Sequence, residues 1–84
     1  MRILLAEDDI QIAENIKSYL QKRGYVVDIA QSAEDAEFEI SEETFDCVIL
    51  DWMLPDGEGT QIASKFRSEG GQTPIIMLTA KSQI

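Results

Sequence analysis

The length, charge and histidine content of the chain limit what it can be. Its 84 residues allow one small domain, and 16 acidic against seven basic residues give a net charge of −9. That charge argues against direct nucleic-acid binding, because phosphate contacts need a basic surface. The sequence holds no histidine, which excludes His-dependent catalysis and His-ligated metal sites. Cation binding is permitted where the acids cluster.

The single cysteine and the short apolar runs favour a soluble protein of a reducing compartment. Cys47 has no partner in the chain, so we expect a small buried hydrophobe and no disulfide framework. The first apolar run, MRILLA, ends at Glu7 and is too short for a signal peptide. The next longest, PIIML, is far too short for a membrane span. We therefore expect a cytoplasmic protein with no membrane contact.

The first half of the chain predicts strand, helix and strand. Residues 3–6 are continuously apolar, which is typical of a strand covered on both faces. Residues 10–23 predict a helix, and Gly24 is expected to follow it in the left-handed conformation. The side chains assigned to the buried face of this helix are Ile12, Ala13, Ile16, Tyr19 and Leu20. Residues 25–30 are rich in valine and isoleucine and predict a second strand.

The second half continues the alternation. Ser32, followed by an acid three residues later, resembles a capping box that opens a helix reaching about residue 42. That helix is acidic, and we interpret its charges as a solvated face. Residues 46–50 predict a third strand that leads into a turn, residues 60–68 a third helix, and residues 74–78 a fourth strand.

This order of elements predicts where polar groups meet. Strands alternating with helices favour a parallel sheet with right-handed crossovers and helices on both faces. Ligands then bind beyond the carboxyl ends of the strands, where the strand order switches. Glu7 and Asp8 follow the first strand, Asp51 ends the third and Thr79 ends the fourth. If the first and third strands are neighbours, the first three of these converge, while Asp9 is favoured as a helix cap.

Converging carboxylates need a counter-charge. Two like charges about 4 Å apart repel by roughly 4 kcal/mol at an effective dielectric near 20, so the acids would partly protonate or bind a cation. Ligands that are all oxygens suit Mg²⁺, or Mn²⁺ in its place. A carboxylate there can attack phosphorus to give an aspartyl phosphate, with Thr79 as a hydroxyl donor. The phosphoryl donor must come from elsewhere, because the chain has no histidine and no phosphate-cradling loop.

Four blocks of sequence resemble the receiver domain of two-component response regulators. In order they are ILLAEDD, GYVVDIAQSAEDA, DCVILDWMLPDGEG and PIIMLTAK, and the match runs from Arg2 to about Ala80. The resemblance implies a flavodoxin-like, doubly wound parallel sheet with strand order 2-1-3-4. It also implies that residues 1–84 are one partial domain, lacking the last strand and two helices. The LPDGEG and LTAK stretches look most like the subfamily with winged-helix DNA-binding output domains, which suggests transcription regulation.

The resemblance also implies a phosphoacceptor module that is not a turnover enzyme. Asp51 would accept a phosphoryl group from a sensor histidine kinase in a Mg²⁺-dependent reaction and relay it as a conformational change. The metal would be held by Asp8, Asp51 and the backbone carbonyl of Met53, with Glu7 acting through a bound water. Thr79 would be the switch hydroxyl, next to the backbone N–H group of Ala80.

The resemblance departs from the family after the fourth strand. Lys81 follows that strand directly, so it does not match the lysine of the family's fifth strand, and switching would be impaired. The alternatives left open are a phosphorylation-independent interaction module, or a homodimer or domain-swapped dimer in which another chain supplies the missing part. DNA would be contacted only through an output domain that this sequence lacks.

A hydrolase is excluded by one residue, and the surroundings of two residues in the turn remain to be determined. An aspartyl-phosphate hydrolase needs a second acid two residues after the nucleophile, where this chain has Met53. In the turn after the third strand, Asp56 is expected to be solvated, and Trp52 is either partly exposed beside the site or packed.

Overall fold

The computed structural model describes residues 1–78, in which strands and helices alternate. The helices are α1 (Ile10–Gln21), α2 (Ala33–Glu42) and α3 (Gly59–Ser68). The four longer strands are β1 (Arg2–Ala6), β2 (Val26–Ala30), β3 (Cys47–Asp51) and β6 (Ile75–Leu78), and β4 (Met53–Leu54) pairs with β5 (Gly57–Glu58) in a short antiparallel ribbon. None of the helices in this part of the chain is both long and apolar enough to cross a membrane.

The longer strands form one parallel sheet in the order β2-β1-β3-β6. Because β6 is the fourth long strand, the predicted order 2-1-3-4 is confirmed. The chain moves outward from β1 to β2 and then returns to the other side of β1 with β3, so the strand order switches between β1 and β3. Their register pairs Ala6 with Leu50, so these two strands end side by side.

Two apolar cores lie on opposite faces of the sheet. Successive side chains of a strand point to opposite faces, and in β1 Leu4 and Ala6 pack beneath α2 and α3, while Ile3 and Leu5 pack beneath α1. Helices therefore cover both faces, which explains the continuous apolar runs in the sequence. Leu4 and Leu5 are fully buried, and burying a side chain of this size contributes about 1.5–3 kcal/mol.

The predicted helix caps are confirmed by hydrogen bonds. The Asp9 carboxylate accepts two backbone N–H groups of the first turn of α1, at 3.0 and 3.2 Å. The Ser32 hydroxyl accepts one in α2, at 3.1 Å. Gly24 has a φ of +91°, which only glycine adopts at little cost. Helix α1 ends at Gln21 and not at residue 23, because the N–H of Gly24 bonds three residues back, to Gln21.

The prediction that Ile12 belongs to the core is wrong. Ile12 is 44% exposed to solvent. Tyr19 is exposed as well, and its ring lies 4.0 Å from the guanidinium carbon of Arg23. Within α1 only Ala13 is fully buried. A helix that lies on one face of a sheet buries only its central stripe, so apolar residues at the margins of that stripe remain in contact with solvent.

Candidate functional site

Three acidic side chains meet where β1 and β3 end. Glu7 directly follows β1, and Asp51 is the last residue of β3. Since Ala6 is in register with Leu50, the next residue on each strand, Glu7 and Asp51, comes to the same edge of the sheet. A carboxylate oxygen from each of Glu7, Asp8 and Asp51 lies within 4.8 Å of the other two. The predicted convergence of these three acids is confirmed.

Two of the three acids are buried. Glu7 is 6% exposed and Asp51 7% exposed, whereas Asp8 faces solvent. The Glu7 carboxylate accepts the backbone N–H of Asp9 at 3.0 Å, and its own backbone N–H donates to the Ala30 carbonyl at 2.9 Å. Burial raises the pKa of the Glu7 carboxyl, and the negative charges of Asp51 and Asp8 raise it further, against the opposing hydrogen bond from Asp9.

The three carboxylates repel one another, and either a proton or a bound cation relieves this repulsion. The carboxylate oxygens of Glu7 and Asp51 lie no more than 4.8 Å apart, and at that distance two charges repel by roughly 3.5 kcal/mol at an effective dielectric near 20. The donor set consists of carboxylate oxygens, which match hard divalent cations such as Mg²⁺ better than softer metals. The site can therefore hold a hard cation and present a carboxylate nucleophile beside it.

The loop after Asp51 is anchored at both ends by backbone hydrogen bonds. The Trp52 N–H donates to the Leu78 carbonyl at 2.9 Å, and the Gly59 N–H donates to the Trp52 carbonyl at 2.7 Å. Met53 lies between these anchors, in β4, where the sequence had predicted only a turn. Trp52 is 40% exposed beside the site. The β4–β5 ribbon thus returns the chain from the end of β3 to the start of α3 in only a few residues.

Asp56 has a structural role that the sequence did not indicate. It is exposed, as predicted for a turn residue, but its carboxylate accepts the backbone N–H groups of Ala33 and Glu34 at 2.6 and 3.0 Å. Those groups belong to the first turn of α2, where a negative charge is also favourable to the helix dipole. These hydrogen bonds lower the pKa of Asp56. Asp56 therefore ties the loop that follows the site to a helix more than twenty residues earlier in the chain.

Replacing Asp56 with alanine is expected to lower the midpoint of thermal unfolding by about 4–8 °C, the usual effect of losing a helix cap in a domain of this length. Because the pKa of Asp56 is below its ordinary value of 3.8 in the folded protein, its contribution is complete above that value and is lost as the pH falls below it. The difference between wild type and Asp56→Ala should therefore shrink in acid. Circular dichroism melts at several pH values measure it.

The matched control is Glu58→Ala, which removes an exposed acid from the same loop that makes no capping hydrogen bond. An equal loss of stability in both variants at neutral pH would contradict the capping role.

Two of the predicted site residues, Thr79 and Ala80, lie outside the described residues, as does Lys81. The described part of the predicted site is therefore the acidic cluster together with Met53.

Comparison with known proteins gives the family. The chain matches the model of the response regulator receiver domain over residues 3–84. The transcriptional regulatory protein DltR of Streptococcus agalactiae is 45% identical over 83 residues, covering 99% of this chain and 37% of DltR. The transcriptional regulatory protein SrrA of Staphylococcus aureus is 40% identical over 81 residues, covering 96% of this chain and 33% of SrrA. The chain spans about a third of the length of these curated relatives.

Solved structures agree with this assignment. The receiver domain of the Francisella response regulator 1452 has a TM-score of 0.93 and 30% identity, covering 98% of this chain and 68% of that one. The response regulator TrrA of Thermotoga maritima, solved in complex with Mg²⁺-BeF, has a TM-score of 0.91 and 37% identity, covering 96% and 70%. The chain belongs to the family of response regulator receiver domains.

Proposed function

We propose that the chain is the phosphoacceptor module of a two-component system and that Asp51 receives a phosphoryl group from a sensor histidine kinase. The observation that carries this proposal is the meeting of Glu7, Asp8 and Asp51 within 4.8 Å at the switch point of the sheet. Membership of the receiver family supports it. The buried position of Asp51 at the end of β3 also supports it, since the scaffold holds the nucleophile in one place.

In the proposed reaction a carboxylate oxygen of Asp51 attacks the phosphorus of a phosphohistidine on the kinase. The P–O bond to Asp51 forms as the P–N bond breaks, and the imidazole leaves with the bonding electron pair and takes up a proton. The chain has no histidine, so the donor must be external. The chain itself is changed by the transfer and relays it as a conformational change, and for this reason we do not class it as a turnover enzyme.

The residues of the cluster fit a Mg²⁺ ion, with Mn²⁺ as a substitute. Asp8, Asp51 and the backbone carbonyl of Met53 would hold it, and Glu7 would act through a bound water. When bound, the ion offsets the negative charge that gathers on the transferring group. The complex of TrrA with Mg²⁺-BeF supports this part of the proposal. Burial raises the pKa of Glu7, and the charges of Asp51 and Asp8 raise it further; a bound cation would offset the second effect.

The remaining residues of the proposal follow the cluster along the chain. Thr79 would be the switch hydroxyl, and the backbone N–H of Ala80 would contact the phosphoryl group. Residues 1–84 would belong to one receiver domain, located in the cytoplasm. Its output in transcription is proposed from DltR and SrrA, which are named as transcriptional regulatory proteins. A net charge of −9 disfavours DNA binding by this chain, so other residues of the protein would contact DNA.

The test uses Trp52, the only tryptophan of the chain, which directly follows Asp51. Its fluorescence is expected to change and saturate during Mg²⁺ titration at millimolar concentrations, and the change should be lost in Asp8→Asn. Mg²⁺ at 100 times its dissociation constant should stabilise the fold by about 2.7 kcal/mol. Addition of acetyl phosphate with Mg²⁺ should add one phosphoryl group, which mass spectrometry detects.

A chain that folds but neither binds millimolar Mg²⁺ nor gains a phosphoryl group would contradict the proposal. It would then favour the second candidate, an interaction module or a dimer that works without phosphorylation. The observation that favours this candidate is β6, which lies at the edge of the described sheet and leaves Ile76 53% exposed.

A further inference from the structure

A groove with an apolar floor runs between α2 and α3, away from the acidic cluster. Its volume is about 570 Å³, within the usual range of ligand pockets. The apolar part of its lining consists of Phe38, Ile40, Ile62 and Phe66. Phe38 is 61% exposed, the largest exposed fraction among the bulky apolar residues of the described chain. An aromatic ring held in solvent at the side of an apolar groove is a feature of surfaces that bind another molecule.

The rim of the groove is acidic. Glu34, Glu37 and Glu69 line it together with one base, Lys65, and that base pairs with Glu37 at 3.4 Å. Helix α2 contains no lysine or arginine, and it ends in acidic residues, where the helix dipole favours cations. The three glutamates around the groove therefore carry more negative charge than Lys65 neutralises, and the rim has a net negative charge.

We infer that the groove between α2 and α3 binds a basic amphipathic peptide segment of a partner protein, with apolar side chains on the floor beside Phe38 and lysines or arginines against the acids of the rim. Charge complementarity selects this occupant. Nucleic acid and anionic lipid are repelled by the rim, and a second copy of a chain with net charge −9 would bring like charges together. An apolar surface ringed by acids fits a segment with one apolar and one cationic face.

The expected geometry follows from the side chains. Phe38 stands on α2 and offers its ring to an apolar side chain of the partner, which would take the place of water over Ile40 and Ile62. Glu34 is one turn of α2 before Phe38, so cations spaced along the partner segment can reach the rim while its apolar face stays on the floor. Since none of the lining residues belongs to the acidic cluster, binding should not depend on Mg²⁺.

The test uses a synthetic amphipathic helical peptide of about 15 leucine and lysine residues. Calorimetric titration of the whole chain should detect binding, and the NMR shifts of labelled protein should change along α2 and α3. Phe38→Ser should weaken binding at least about fivefold, and Glu34→Gln should weaken it and reduce its salt dependence. Both side chains are exposed, so neither variant should disturb folding.

The controls separate a specific groove from general acid–base attraction. Tyr19→Ser removes a similarly exposed aromatic ring from α1, and Glu14→Gln an exposed acid from the same helix; neither should change binding by more than about twofold. A scrambled peptide of the same composition should bind more weakly. Absence of binding, equal losses with Tyr19→Ser and Phe38→Ser, or shifts confined to α1 would overturn the inference. A dimer of the free chain that Phe38→Ser dissociates would assign the groove to a second copy and overturn it as well.

Discussion

Asp51→Asn is expected to abolish phosphoryl transfer to the chain and, without divalent cations, to make the fold more stable. Transfer is lost because an amide oxygen is a poor nucleophile and cannot form the acyl phosphate. Stability rises because the change removes one of two buried negative charges within 4.8 Å of each other. Solvent reaches the cluster on the side of Asp8 and weakens the repulsion, so we expect the free energy of unfolding to rise by about 1–3 kcal/mol.

Chemical denaturation in EDTA measures the stability, and mass spectrometry after incubation with acetyl phosphate and Mg²⁺ measures the transfer. Glu42→Gln is the matched control, since it removes one exposed acid outside the cluster. It should leave the transfer unchanged and raise the stability by less than about 1 kcal/mol, because Glu42 is the last residue of α2. A phosphoryl group found on Asp51→Asn would mean that another residue is the acceptor. A loss of stability in this variant, with no such loss in Glu42→Gln, would mean that Asp51 is held by favourable contacts that exceed the repulsion.

Gly59→Ala is expected to destabilise the fold and to weaken Mg²⁺ binding. Gly59 is the first residue of α3 and is buried against the end of β3. A Cβ atom at this position would clash with the backbone carbonyl oxygen of Asp51 and lie 3.0 Å from Cε of Met77. The first contact is with backbone and cannot be relieved by a rotamer change, so either α3 or the end of β3 must move.

Two effects of this substitution oppose each other. Alanine is favoured over glycine by about 1 kcal/mol in a helix interior, which is an upper bound at the first residue of α3. Forced overpacking against rigid atoms costs about 1–3 kcal/mol, and more when the backbone must shift. The steric effect prevails because the clash is with the main chain, and we expect a net loss of about 1–2 kcal/mol. A displaced carbonyl also displaces the Asp51 carboxylate, so the Mg²⁺ dissociation constant from the Trp52 titration should rise.

Ser64→Ala is the matched control for the effect of alanine on helix stability, because Ser64 is an exposed residue of the same helix. It should be neutral or slightly stabilising. If Gly59→Ala proved as stable as Ser64→Ala, the close approach of α3 to the end of β3 would not exist in solution. If Gly59→Ala were destabilised but bound Mg²⁺ with the wild-type dissociation constant, the second half of the prediction would be wrong. The contact between α3 and β3 would then stabilise the fold without positioning the Asp51 carboxylate.

Much of the fold and part of the site could be predicted from the sequence, because local patterns determine them. Continuous apolar runs indicated strands covered on both faces, and a change to helical spacing located the helices between them. Caps at Asp9 and Ser32 and a left-handed Gly24 depend on neighbours within a few residues, so they too could be predicted. Once the alternation of strands and helices was known, acids at strand ends had to gather at one edge of the sheet. The position of Asp51 after its apolar run was therefore informative in combination with Glu7 and Asp8 after the first strand.

Only the tertiary structure decided which surfaces stay uncovered and which distant groups meet. Asp56 caps a helix more than twenty residues away, and no local pattern indicates such a partner. Ile12 looks like a core residue at helical spacing, but it lies in solvent because the sheet offers its helix only a narrow contact strip. The exposure of Phe38 on α2 is likewise visible only in the assembled structure. The pairing of β1 with β3 brings Glu7 to Asp51. Contacts across such sequence separations depend on how whole elements pack, and that is decided by the assembled chain.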